Sequence, residues 1–98
     1  MREGWYETDV VQRLRQLYPG CVILKNDTRH LQGIPDRSIF YNDRWAMLEF
    51  KVGRNARAQP NQQYYVDMLN EMSYASFIYP ENEAEVLGDL QSALHSRR

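Results

Sequence analysis

The chain has 98 residues, a formal net charge of −1, 43% hydrophobic and 26% charged residues, and one cysteine. These figures suit one globular domain over residues 1–98 and exclude a disulfide framework, a low-complexity chain and an overall basic nucleic-acid binder. No apolar run approaches the ~18 residues of a membrane span and no signal-peptide pattern opens the chain, so a soluble protein in a reducing, cytoplasmic compartment is expected. Charge is nevertheless two-sided. Residues 25–57 hold Lys25, Arg29, Arg37, Arg44, Lys51, Arg54 and Arg57 against Asp27, Asp36, Asp43 and Glu49, whereas residues 58–98 hold two basic groups against six acidic ones. A basic tract around a few acids suits a phosphodiester substrate.

Trp5 to Tyr18 reads as an amphipathic helix with Val10, Val11, Leu14, Leu17 and Tyr18 on one stripe, ended by Pro19-Gly20. Glu7 lies on that stripe. It either favours the positive helix N-terminus at the domain edge or faces a site as a further acid. Cys21–Lys25 is a short apolar run, hence a buried strand. Asn26–Gln32 is a polar loop with Arg29, whose fork suits phosphate oxygens, and His30, read as a solvated side chain.

Two β-type runs follow, Ile34–Tyr41 and Arg44–Val52, joined by the tight-turn pair Asn42-Asp43. Alternation in the second run puts Ala46, Leu48, Phe50 and Val52 on one face, and Trp45, Met47, Glu49 and Lys51 on the other. A strand that is apolar on both faces is central and covered, so Glu49 and Lys51 are carried inward about 7 Å apart. Burying such charges costs several kcal/mol each unless they are compensated, as an order of magnitude. Asp36, at the mouth of the neighbouring strand, can converge on the same spot. Two crowded carboxylates repel unless a cation sits between them, and oxygen ligands suit Mg²⁺ or Mn²⁺.

Gly53–Ala58 is a small-residue basic loop beyond Lys51, with Arg54 and Arg57 placed to clamp phosphate. Pro60 opens a helix to Met72 whose inner stripe is Gln62, Tyr65, Val66, Leu69 and Met72. Gln62 is the polar member, serving either the site or the adjoining loop. Tyr74–Tyr79 is a strand stopped by Pro80. Asn82 with Glu85 reads as a capping box opening a last helix through Val86, Leu87, Leu90, Ala93 and Leu94, and the tail from His95 to Arg98 is expected to fray. The order is αβββαβα: an α/β fold with a mixed central sheet flanked by helices.

Pro35-Asp36 followed by Glu49-Phe50-Lys51 resembles the PD-(D/E)xK nuclease signature, and Gly33 and Arg37 around it make it similar to the VRR-NUC and Holliday-junction-resolvase branches. The resemblance covers nearly the whole chain, because the element order matches the common core of that superfamily, the restriction-endonuclease-like core. It implies a Mg²⁺-dependent DNA endonuclease, with Mn²⁺ as substitute, in which Asp36, Glu49 and the Phe50 backbone carbonyl hold the metal. Related nucleases often add a first-helix Glu, here Glu7, and a Gln past the Lys, here Gln62. Lys51 would orient or deprotonate water or stabilise charge on the phosphate. Lys25, Arg29, Arg37, Arg54 and Arg57 would track the DNA backbone. A homodimer acting on branched DNA in a bacterial or phage-infected cell is expected. Nicking of flaps or single strands, or a catalytically dead nucleic-acid-binding module, are the alternatives.

Overall fold

In a computed structural model, which describes residues 2–95, the alternating side chains of the central strands divide the protein into two layers. The elements in order are α1 (Glu3–Leu17), β1 (Val22–Lys25), β2 (Arg37–Tyr41), β3 (Arg44–Phe50), α2 (Pro60–Met72), β4 (Tyr74–Ile78), a 3-10 turn (Pro80–Asn82) and α3 (Glu83–Leu94). The four strands form one mixed sheet in chain order, β1 and β2 antiparallel, β2 and β3 antiparallel, β3 and β4 parallel. One face buries Ile23, Ile39, Ala46, Leu48, Phe50 and Ile78 against Val10, Val11 and Leu14 of α1 and Val86, Leu90 and Leu94 of α3. The opposite face packs Met47, Trp45, Ala75 and Phe77 on Val66 and Leu69 of α2. The period-two division expected for the second β run is the one observed.

Several boundaries differ from the sequence expectation, each for a local reason. β2 starts at Arg37, not Ile34, because Asn26 takes up the carbonyls of Pro35 and Asp36 while the Ile34 N–H turns back to Leu31 O. The Asn26 amide donates to Pro35 O (2.8 Å), and its backbone N–H donates to Asp36 O (2.8 Å). β1 is not wholly buried. Ile23 is covered, but Val22 and Leu24 are exposed, since α2 lies over β3 and β4 and leaves the β1 end of its face bare. Leu17, Val52 and Met72, each placed on an inner stripe, are exposed at the ends of their segments. Of the tail expected to fray, His95 to Arg98, residues 96–98 lie outside the described residues, but for His95 the expectation fails, because two rings hold it in place. His95 stacks against the rings of Tyr18 and Tyr41, with centroids 5.6 and 5.8 Å away.

Asn82 does not cap α3 with its side chain. Its Oδ1 accepts the Tyr79 N–H (2.9 Å), and its Nδ2 donates to Phe77 O (3.0 Å). One amide thus satisfies a donor and an acceptor at the end of β4, as a neighbouring strand would. Asn70 Oδ1 accepts the Ala75 N–H (3.1 Å) further along the same strand. A serine suits a helix N-cap as well as asparagine does, but it cannot span both strand groups. Asn82→Ser is therefore expected to lower stability by about 1–2 kcal/mol, read as a drop in the chemical-denaturation midpoint. A neutral result would restore the capping role.

Candidate active site

The register of the central hairpin creates the site. Arg37 pairs with Leu48, so one step further along Asp36 stands opposite Glu49, where cross-strand side chains are direct neighbours. Asp36 Oδ2 accepts the Phe50 N–H (2.9 Å), so its carboxylate is held against the end of β3. The loop before it is seated by Gly33, a buried residue with φ +95°. A Cβ there would stand 2.8 Å from the Asn61 carbonyl carbon, so the loop backbone rests directly on the first turn of α2.

Glu49 is 3% exposed. Its Oε2 accepts from Gln62 Nε2 (3.0 Å), while Oε1, among the described residues, is the one buried side-chain N or O atom with no hydrogen-bond partner. Burial, and next the charge of Asp36, push its carboxyl up to about 8, against the pull of Lys51. Lys51 is tied to Glu49 through the same amide: Lys51 Nζ donates to Gln62 Oε1 (2.8 Å) and reaches the Arg57 carbonyl oxygen (3.5 Å). Gln62 Oε1 also accepts the Gln59 N–H (3.0 Å) at the start of α2. Gln62 thus closes the helix start and, at the same time, bridges the two charged groups.

Gly33, Asp36, Glu49 and Gln62 border a cleft of about 610 Å³ between the starts of α1 and α2, lined also by Glu3, Thr28, Arg29, Gln32 and Gln59, whereas Lys51 lines a separate pocket with Arg54. The positive ends of both helices meet the carboxylates there. The first-helix acid at the cleft is Glu3, not the expected Glu7. Burial and then Asp36 raise the Glu3 carboxyl above its ordinary value. Glu7 sits one turn further along, on the α1 side of the sheet, where its Oε2 accepts from Arg37 Nε (2.6 Å) and Lys25 Nζ (2.9 Å). Burial alone would raise its carboxyl, but the two cations outweigh it and hold it below the usual range.

The expected DNA-contacting residues therefore divide. Lys25 and Arg37 are paired with Glu7, and Arg29, at the cleft, is paired with Asp27. Arg54 and Arg57 are exposed in the loop after Lys51 and, among the described residues, form no ion pair. Glu3 and Asn26 were missed in the sequence. For Glu3 the signal was its place four residues before Glu7, on the same helix face.

Among the described residues, no three His, Cys, Asp or Glu side chains are grouped closely enough to hold a metal. The donor set at the cleft is instead two carboxylates with the backbone of Phe50, whose C=O leaves β3 on the same edge as the N–H bound by Asp36. All donors are oxygens, and Glu49 Oε1 lacks a partner. That set fits a hard cation completed by water.

Comparison of the chain with protein-family models, curated proteins and solved structures finds no match. The cleft has to be read from its own chemistry.

Two outcomes follow from this geometry. Because the fold favours protonated Glu49, the unfolded chain releases that proton first. Cation-free protein should lose stability as pH rises from about 4.5 to about 8. Glu7, shifted the other way, contributes stability that is lost only as pH falls below its ordinary range. Thermal midpoints recorded in chelator should therefore fall across the upper window in the wild type and stay flatter in Glu49→Gln. Gly33→Ala combines a positive φ with a clash on helix backbone and should cost more than about 1 kcal/mol. An unchanged midpoint would show that the loop does not rest on α2.

Proposed function

We propose that the protein is a metal-dependent endonuclease that hydrolyses DNA phosphodiester bonds, built on a restriction-endonuclease-like core and selective for branched DNA. The observation that carries this reading is the Glu49 carboxylate, buried beside Asp36 with Oε1 unpartnered and Lys51 one amide away. With both acids ionised and nothing between them, that arrangement is destabilising: two like charges share a corner, and a buried acceptor lacks a donor. A divalent cation removes both penalties. Asp36, Glu49 and the Phe50 carbonyl are the residues that would hold Mg²⁺, with Mn²⁺ as a substitute. Such a cation neutralises phosphate charge and lowers the pKa of bound water towards neutrality.

The chain's own groups do the rest. Gln62 points its amide N–H at Glu49 and its carbonyl at Lys51, which keeps the acid and the ammonium apart and fixes both. Lys51 Nζ is a donor in each of its hydrogen bonds, which suits it to a non-bridging phosphate oxygen as negative charge grows there. Water oxygen forms the new bond to phosphorus and gives up its proton to solvent, the P–O3′ bond breaks, and O3′ takes a proton from solvent, leaving a 3′-hydroxyl and a 5′-phosphate. Arg29 at the cleft and Arg54 and Arg57 beyond Lys51 give the substrate backbone cationic neighbours. A chain with one such cleft cuts two strands symmetrically as a two-fold dimer, and exposed Val22, Leu24 and Phe40 offer apolar surface for it.

Labelled duplex, single strand, flap and four-way junction incubated with Mg²⁺ test the reading. Cleavage is expected on the junction above all, and removal of the cation by chelator should abolish it. Asp36→Asn and Glu49→Gln should lose it, and Lys51→Ala should slow it by about 10²–10⁴-fold while leaving the carboxylates able to hold metal. Folded Asp36→Asn that cuts at the wild-type rate would end the proposal. Light scattering at micromolar concentration checks the dimer.

A further inference from the structure

Glu7 is buried, charged and absent from the cleft, so its presence needs a reason. It is 7% exposed, and one of its oxygens serves two cations, Arg37 and Lys25, which are also register partners across β1 and β2. A part-buried cluster of this kind is a weak route to stability, since apolar packing around the buried acid does as well or better. What it does achieve is to fix the positions of two cations while leaving a net charge of one positive unit.

Both cations retain unused donors. The Arg37 bond uses Nε. Its two Nη nitrogens make no hydrogen bond among the described residues and are not sealed from solvent. Lys25 has a side chain 59% exposed. The pair lies next to the cleft through the backbone: Arg37 follows Asp36, and Lys25 precedes Asn26, whose N–H holds the Asp36 carbonyl. Lys25 also acts on Glu3 at the cleft wall.

We infer that Lys25 and Arg37, anchored on the buried Glu7, form a preset binding pair for a backbone phosphate of the nucleic acid, on the α1 side of the sheet end whose other side carries the Asp36 and Glu49 cleft. The inference rests on the nuclease reading, and it makes Glu7 a positioning residue rather than a metal ligand. A guanidinium clamped through Nε presents its Nη edge without losing rotamer freedom on binding, which is the advantage of preorganisation. Recognition is by charge and phosphate geometry, with no sequence preference.

The sign of one substitution separates this from general electrostatics. Glu7→Gln makes the protein less negative, which by Coulomb attraction alone should tighten DNA binding. Loss of the anchor should weaken it. Binding is measured by fluorescence anisotropy of a labelled four-way junction in Mg²⁺, over a range of salt, in a Lys51→Ala background that limits cleavage. Glu7→Gln should raise Kd by about three- to ten-fold, and Lys25→Gln and Arg37→Gln by similar factors, each reducing the salt slope by about one. Adding Glu7→Gln to Arg37→Gln should cost less than the two effects combined. Unchanged or tighter binding by folded Glu7→Gln overturns the inference, as does an unaltered salt slope in Lys25→Gln, whose exposed side chain keeps that arm readable if Glu7→Gln fails to fold. A parent protein that binds no DNA overturns the nuclease reading along with the pair. A parent that binds while the three variants match it overturns the pair alone.

Discussion

The antiparallel pairing of β2 with β3 sets where each charged group at the cleft stands. The turn between them is two residues long, and Asn42 adopts φ 56°, the left-handed geometry that lets so short a connection follow the strand twist. From that turn the pairing runs Tyr41 with Arg44 to Arg37 with Leu48, and so to Asp36 beside Glu49. A slip of one residue would exchange the faces of a strand. A turned β3 would bring Glu49 into the layer that now holds Leu48 and Phe50, and a turned β2 would take Arg37 from Glu7. Asn26 and Gly33 support this register from outside the ladder, one by bonding the residues before β2 and the other by seating their loop on α2.

Two acids of similar burial are thereby driven in opposite directions at the same end of the sheet. Glu49 is buried, shares its corner with Asp36 and meets the nearest cation through an amide, so its proton is retained to about 8. Glu7, on the other side of the sheet, touches two cations directly and is held ionised. The sheet between them keeps the cations that satisfy Glu7 from neutralising Glu49. Carboxylates separated in this way can hold distinct protonation states in one fold at one pH.

Much of this was legible in the sequence wherever a period decided it. Alternation along β3 assigns Glu49 and Lys51 to one face and Leu48 and Phe50 to the other, and Pro60 marks the start of α2. Periodicity tells which residues share a helix face but not where along the helix the sheet ends, which is why Glu3 rather than Glu7 meets the cleft. Arg37 was within reach of sequence reasoning: a two-residue turn pairs it with Leu48, on the face turned to α1, away from Glu49. The bare end of β1 was not, because it depends on one helix covering only half of a four-stranded face. Nor was the use of Asn82, whose amide can cap a helix or bond a strand. The free edge of β4 decided between them.

That use of Asn82 bears on how copies of the protein can meet. With Asn82 on Phe77 and Tyr79 and Asn70 on Ala75, the outer side of β4 presents few unmet backbone groups to a neighbouring chain. Edge-to-edge growth, ordered or amyloid-like, is discouraged there by amides rather than by the usual charged residues. Extension of the sheet is left to β1, a strand of four residues ending in Lys25. Any chain that adds itself at β1 runs up to the ammonium held by Glu7, so self-association through that edge and occupation of the cation pair compete for one boundary.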